Sequence, residues 1–123
     1  MDERNMYNEQ LEQAIVDMAV EAWRFRRVFN KAMSKLDAGE STRYLSQFNW
    51  FVRKVQEALE KANMRIVNIE GQEYDPGQAV VPMNIDDFEE EDILYVDQLI
   101  EPIIMKDDRV VKTGSAILGR MNV

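Results

Sequence analysis

Residues 11–36 read LEQAIVDMAVEAWRFRRVFNKAMSKL, and the organisation of the chain follows from this stretch. Apolar residues recur in it at alternating intervals of four and three: Leu11, Ile15, Met18, Ala22, Phe25, Phe29, Ala32 and Leu36. This is the a/d repeat of a helix that packs along one seam, and neither Gly nor Pro interrupts it. We predict a helix of roughly 39 Å, at about 1.5 Å per residue. The more polar segment before it, Met1–Gln10, is expected to fray.

A second helical pattern follows a short break. Between Thr42 and Asn63 the apolar residues again recur at intervals of three and four: Leu45, Phe48, Val52, Val55, Leu59 and Ala62. In the break we expect Gly39 to take the left-handed position that ends the first helix, and Ser41 to cap the second. Because so short a loop keeps neighbouring helices side by side, the pattern predicts an antiparallel hairpin.

The two apolar faces are wider than one hairpin can cover, since Val16, Val20 and Trp23 widen the first and Phe51 the second. We therefore expect two hairpins to meet as a four-helix bundle, which makes the protein a homodimer. The alternative is that the second half of the chain covers the spare surface. The predicted dimerisation residues are Leu11, Ile15, Met18, Phe25, Phe29, Phe48, Val52 and Val55.

After Asn63 the hydrophobic period changes from helical to alternating. The pattern predicts short strands over 65–70, 79–83, 93–96 and 99–105, and a return strand from Val110 to Leu118 with a bulge at Gly114. Pro82 marks an edge strand and Pro102 an edge or bulge, because proline donates no ladder hydrogen bond. Turns are predicted at residues 74–77 and 106–109. The fold class is thus α+β: a helical hairpin over 1–63 that forms the dimeric bundle, then a small β-rich module over 64–123.

The negative charge lies entirely in the second half of the chain. The net charge is −8; residues 1–70 contain 11 basic and 11 acidic residues, whereas residues 71–123 contain 4 and 12. An acidic module repels nucleic acid and anionic membranes, so we expect neither as a partner. A protein partner with a basic surface suits this charge.

Composition also limits the chemistry. The chain has no Cys and no His, so thiol and imidazole chemistry are excluded and we expect no metal and no cofactor. The serines lack a histidine base, and a carboxylate pair such as Asp97 with Glu101 is the only acid–base alternative, so we do not expect an enzyme. We see neither a signal peptide nor a membrane span and expect a cytoplasmic protein.

The acidic segment 86–92 has two readings. Its carboxylates offer the oxygen ligands that a divalent cation prefers, but their spacing matches no calcium loop, and no Gly lies at the bend. A solvated loop is the favoured interpretation, and its role stays open.

Three short motifs lie in or near the second half of the chain: residues 62–67 (ANMRIV), Tyr74-Asp75-Pro76, and residues 108–112 (DRVVK) followed by 116–118 (AIL). They resemble motifs of the GrpE family, the nucleotide exchange factors of DnaK-type (seventy-kilodalton heat-shock) chaperones. The first resembles the family's passage from the last bundle helix into the first strand, the second its turn and the third its closing hairpin. The likeness covers Glu21 to Gly119. Too little chain precedes Glu21 for the family's long paired stalk, so we expect a short, diverged member without it.

The resemblance implies an elongated dimer with a central four-helix bundle and a β wing on each side. One wing and the nearby bundle of such a protein grip the ATPase domain of the chaperone, whose cleft opens and releases ADP. The wing contacts of the family map onto Tyr74, Pro76 and Leu118. The alternative function is a structural or adaptor homodimer that keeps this fold without exchange activity.

Overall fold

Two long helices precede six short strands in the computed structural model, which describes residues 3–121. The predicted α+β class is confirmed. The helices are α1 (Glu3–Met33) and α2 (Ala38–Lys61), and a single 3₁₀ turn spans Ile85–Asp87. The strands are β1 (Met64–Val67), β2 (Val80–Pro82), β3 (Leu94–Glu101), β4 (Ile103–Lys106), β5 (Arg109–Lys112) and β6 (Gly114–Arg120).

The chain divides into two units, Met1–Arg65 and Ile66–Val123, with the boundary two residues after the predicted one. Within residues 3–121 there is no helix of the length and apolar character that crossing a membrane requires.

Helix α1 begins earlier and ends earlier than predicted. Residues 3–10 are helical, so the expectation that Met1–Gln10 frays is wrong for this part, and residues 1 and 2 lie outside the described range. The segment contains neither Gly nor Pro, and Glu3 in the first turn suits the positive end of the helix dipole. The helix ends at Met33, where the Ser34 hydroxyl donates to the Lys31 carbonyl at 2.6 Å.

The interhelical loop has different capping from that predicted. Asp37 is the N-cap of α2, and its carboxylate accepts a hydrogen bond from the Glu40 amide at 2.9 Å. Gly39 and Ser41 therefore lie inside the first turn of α2, and the capping roles predicted for them are wrong. An Asp cap with an acidic residue in the first turn satisfies the free amides and the dipole together. At the other end, Asn63 takes a positive φ of 60° after α2 ends at Lys61.

Four phenylalanines join the helices near the loop. The rings of Phe29 and Phe48 stack with their centroids 4.5 Å apart, and Phe25 lies 6.4 Å from Phe48. Phe51 lies 6.3 Å from Phe48 on the same helix. Farther from the loop, residues 15–22 in the middle of α1 share a groove with residues 51–59 in the second half of α2. The two helices are therefore antiparallel, as predicted.

The six strands form two sheets of three strands each, with β4 at the centre of one sheet and β6 at the centre of the other. One sheet has the order β1-β4-β5 and the other β2-β6-β3. In the latter, β2 is parallel to β6, with Val80 opposite Gly114, and β3 is antiparallel to β6, with Leu94 opposite Arg120. The predicted edge position of the strand that contains Pro82 is confirmed.

The chain changes sheets three times, after β1, after β3 and after β5, and the last two changes alter the predicted strands. Pro102 is fully buried between β3 and β4, which belong to different sheets, and Thr113 likewise separates β5 from β6. The single return strand predicted from Val110 to Leu118 is therefore wrong, and Gly114 begins β6 rather than forming a bulge. The strand predicted over 65–70 is shorter and covers 64–67. Other fully buried side chains of this unit are Val96, Leu99 and Ile104.

Gly114 is predicted to be intolerant of a side chain. A β-carbon there would lie 2.8 Å from the Glu101 carbonyl oxygen and 3.0 Å from a side-chain carbon of Ile103. Because one neighbour is backbone and the other is core, Gly114→Ala should lower the free energy of unfolding by about 1–3 kcal/mol. The measurement is urea denaturation followed through the amide signals of residues 66–121.

The matched control is Gly77→Ala, whose β-carbon would meet no atom closer than the Asp75 carboxylate at 3.4 Å. Its effect should stay within about 0.5 kcal/mol. Equal effects of the two substitutions would contradict the close packing at Gly114.

Candidate functional site

The first candidate surface is an apolar groove between the helices, which we call the helical groove. It has a volume of about 220 Å³ and is lined by Ile15, Met18, Ala19 and Ala22 of α1 and by Phe51, Val55, Ala58 and Leu59 of α2. Three alanines form it because small side chains leave space between the helices. The groove is open, so α2 covers the α1 seam only in part.

The predicted dimerisation residues differ in exposure. Met18 is 74% exposed, Phe25 49% and Leu11 46%, whereas Phe48 is buried at 7% among the phenylalanines. Ile15, Phe29, Val52 and Val55 are half-buried. An apolar stripe more than about 100° wide contacts more than one neighbour in a helical bundle. Because α1 has only α2 beside it in the hairpin, part of its stripe stays in water.

The second candidate surface lies in the second unit, and we call it the acidic cleft. It has a volume of about 560 Å³ and carries five carboxylates, from Glu73, Asp86, Glu89, Glu90 and Asp92. Its apolar lining comes from Tyr74, Pro76, Ile85, Phe88, Ile93 and Leu94. Two of the three predicted partner-binding residues, Tyr74 and Pro76, thus lie in one cleft.

A hydrogen-bonded turn holds Tyr74 and Pro76 in place. The Asp75 carboxylate accepts from the Gly77 amide at 2.8 Å, and the Asp75 amide donates to the Gln78 side chain at 3.0 Å. The Tyr74 amide donates to the Leu94 carbonyl at 2.8 Å, which joins the turn to the start of β3. The turn predicted at 74–77 forms one residue later, over 75–78, where the Gln78 amide donates to the Asp75 carbonyl at 2.9 Å. It has the Asx geometry that Asp before Pro-Gly favours.

The opposite wall is the connector between β2 and β3, residues 83–93, which β6 holds at both ends. The side-chain amide of Asn84 pairs with the Leu118 backbone as a neighbouring strand would. Its nitrogen donates to the Leu118 carbonyl at 3.0 Å, and its oxygen accepts from the Leu118 amide at 2.9 Å. At the other end, Arg120 contacts Asp92 at 3.1 Å, and its guanidinium lies 5.9 Å from the Phe88 ring. Phe88 and Asp92 belong to the acidic segment 86–92, whose role the sequence leaves open. Arg120 was not predicted to contact them, because no local pattern joins positions so far apart in sequence.

Leu118 lies away from the cleft lining. Its side chain is 3% exposed, in the core of the second unit. The predicted partner contact through this side chain would require it to leave that core.

The carboxylates considered for metal binding or acid–base chemistry do not form such a site in the described residues. Among residues 3–121, no group of three His, Cys, Asp or Glu side chains is arranged to hold a metal ion. Glu101 accepts from the Ser115 hydroxyl at 3.3 Å and lies 3.6 Å from the Lys112 ammonium, while Asp97 is exposed. Both Glu101 contacts are those of a strand surface.

Comparison with known proteins adds no functional assignment. No family model matches the chain, and neither the curated proteins nor the solved structures contain a match. Function is therefore inferred from the two surfaces and from the motif resemblance.

The burial of Leu118 predicts a structural effect when it is shortened. Leu118→Ala should lower the free energy of unfolding by about 2–5 kcal/mol, because it removes buried methyl groups and leaves a cavity. Thermal unfolding monitored by the amide signals of β3 and β6 measures this effect.

Ile85→Ala provides the matched control, since this residue is 42% exposed in the same unit. Its cost should be below about 1 kcal/mol. A small effect for Leu118→Ala would contradict its place in the core and restore it as a direct contact residue.

Proposed function

We propose that the chain is a homodimeric, GrpE-like co-chaperone that promotes ADP release from the ATPase domain of a DnaK-type chaperone in the cytoplasm. One observation carries the proposal. Tyr74 and Pro76, which the resemblance identifies from a short motif, line a single cleft in the β-rich unit. The protein acts by binding and uses no cofactor.

The proposed dimer is supported by the exposure of the α1 seam. Complete burial of a Leu, Met or Phe side chain is worth about 1.5–3 kcal/mol, and roughly half of that is still to be gained at Leu11, Met18 and Phe25. Two copies double this gain, and the helical groove adds to it. The sum is comparable with the roughly 4–15 kcal/mol that association costs. The helical half has no net charge, so two copies do not repel each other there.

The proposed exchange mechanism is thermodynamic linkage. A factor that prefers the open form of the ATPase cleft lowers the affinity for ADP, and ADP must lower the affinity for the factor by the same ratio. The β-rich unit supplies the contact through Tyr74 and Pro76, and the bundle holds two such units in one particle.

Nucleotide release tests the exchange activity. With a fluorescent ADP bound to a DnaK-type chaperone, addition of the protein should speed release, and the double variant Tyr74→Ala/Pro76→Ala should lose about tenfold of this effect, equivalent to roughly 1.4 kcal/mol. The control is Val81→Ala/Met83→Ala, two exposed residues of the same unit outside the cleft lining.

The control variant should release ADP as fast as the wild type. Binding to the chaperone that is equally tight with and without ADP would contradict exchange. A stable dimer without any effect on release would support the alternative, a structural or adaptor homodimer.

Charged residues in the seam test the dimer separately. Leu11→Glu/Met18→Glu should convert the protein to single chains in sedimentation velocity, because burial of a carboxylate in an apolar interface is costly. Both residues are about half or more exposed, so the hairpin itself should stay helical.

The control Gln10→Glu/Asn30→Glu adds the same charge at exposed polar positions of α1 and should remain at twice the mass of one chain. A wild type that sediments as a single chain would contradict the proposed dimer.

A further inference from the structure

The connector that forms one wall of the acidic cleft is longer than its path requires. It joins the end of β2, opposite Ala116, to the start of β3, opposite Arg120 on the other side of β6. It must therefore cross about two strand spacings, roughly 10 Å, and advance about 13 Å along β6. Its eleven residues, 83–93, can reach about 35 Å when extended. Extra chain at the surface of a small unit is typical of binding loops.

This extra chain is ordered by specific contacts. Asn84 pairs with both backbone groups of Leu118, and Asp92 accepts from the Glu89 amide at 2.9 Å as well as from Arg120. The connector therefore presents its side chains in one arrangement before any partner binds, which lowers the entropic cost of binding.

The cleft is both acidic and apolar, and an arginine side chain can bind to both kinds of surface. Glu73, Asp86, Glu89 and Glu90 are exposed carboxylates, and next to them lie the Tyr74 and Phe88 rings and the apolar side chains of Ile85 and Ile93, which are 42% and 47% exposed. Arginine has an apolar stem that covers such surface and a planar cation that binds carboxylates and aromatic faces. A purely apolar ligand satisfies only the apolar character, and an anion satisfies neither because the carboxylates repel it.

Arg120 shows this recognition within the chain itself. Its guanidinium binds the Asp92 carboxylate at 3.1 Å and lies 5.9 Å from the centre of the Phe88 ring, and both of these residues line the cleft. A second combination of aromatic ring and carboxylates, formed by Tyr74 and the four exposed acidic residues, can bind a guanidinium from another chain in the same way.

We propose that the acidic cleft binds an arginine-bearing basic segment of the partner protein. The inference rests on the proposed function only for the identity of that partner, because it gives the chemistry of the surface at which the chaperone is expected to bind. The charge of the second half of the chain, with 4 basic and 12 acidic residues, is complementary to such a segment.

Peptide titration of the intact protein tests the cleft independently of any chaperone. A tetra-arginine peptide should shift the amide signals of Tyr74, Phe88 and Glu89 saturably. Tetra-lysine should bind about threefold or more weakly, because it lacks the planar group, and tetra-glutamate should not bind. Absence of shifts at the cleft, or equal affinity for arginine and lysine peptides, would overturn the proposal.

Two variants of the connector separate the cleft from general charge. Glu89→Gln/Glu90→Gln removes two carboxylates that line the cleft, whereas Asp87→Asn/Glu91→Gln removes two from the same connector that do not line it. The first should weaken tetra-arginine binding about fivefold or more, and the second less than about twofold. Equal losses would show attraction by net charge alone and overturn the proposal.

The same variants in the ADP-release assay distinguish failure of the proposed arginine site from failure of the proposed exchange activity. Peptide binding at the cleft together with no effect on ADP release supports the cleft and contradicts the co-chaperone. The opposite outcome is that the wild type speeds ADP release, that Glu89→Gln/Glu90→Gln speeds it equally, and that neither protein binds the peptide. This outcome supports the co-chaperone and overturns the arginine site.

Discussion

The apolar seam of α1 is the constraint on which the first unit depends. It meets α2 through the stacked rings of Phe29 and Phe48 at the loop end, where the contact is tight. Toward the other end the helices are separated by the helical groove, and Met18 stays 74% exposed. Val16, Val20 and Trp23, which widen the predicted face, are buried within the single chain. The apolar surface left in water is that of Leu11, Met18 and Phe25, and it has free energy to gain from a further helical neighbour. A second copy is the proposed neighbour, and it would complete a four-helix bundle.

The second unit depends in a similar way on β6. This strand pairs with β2 on one side and β3 on the other, and its last residues hold the connector through Asn84 and Arg120. One strand therefore sets both the sheet and one wall of the acidic cleft. The buried Leu118 contributes to the cleft by holding β6 in the core, so its substitution would change binding through the fold rather than through a lost contact.

Regular and local features could be predicted from the sequence, and features that join distant residues could not. The heptad spacing predicts the helical hairpin, and Asp75-Pro76-Gly77 predicts the turn that precedes β2, because each pattern depends on residues a few positions apart. The predicted cap at Ser41 is wrong because Gly39 does not end α1; instead Asp37, four residues before Ser41, caps α2 by accepting a hydrogen bond from the Glu40 amide. The change of sheets at Pro102 and Thr113 depends on pairing with distant strands, which alternation alone does not specify.

The acidic cleft illustrates the same limit at the candidate site. Tyr74 and Pro76 are predicted from a short motif, whereas Phe88 lines the same cleft from the connector. Arg120 contacts Phe88 and Asp92 from β6, where it lies opposite Leu94 in the register of β3 with β6. Leu118 belongs to the same motif set and yet lies in the core, because alternate residues of a strand point to opposite faces. A sequence pattern identifies the strand, and its pairing determines which side chain reaches the surface.

Whether a second chain covers the α1 seam can be measured by thermal unfolding of the helices at several protein concentrations. For a bundle of two chains, a hundredfold increase in concentration stabilises the folded state by about 2.7 kcal/mol, which raises the midpoint of the helical circular-dichroism transition by several degrees. We predict this rise. A midpoint that does not change with concentration would show that one chain satisfies its own apolar surface, and it would contradict the dimeric account.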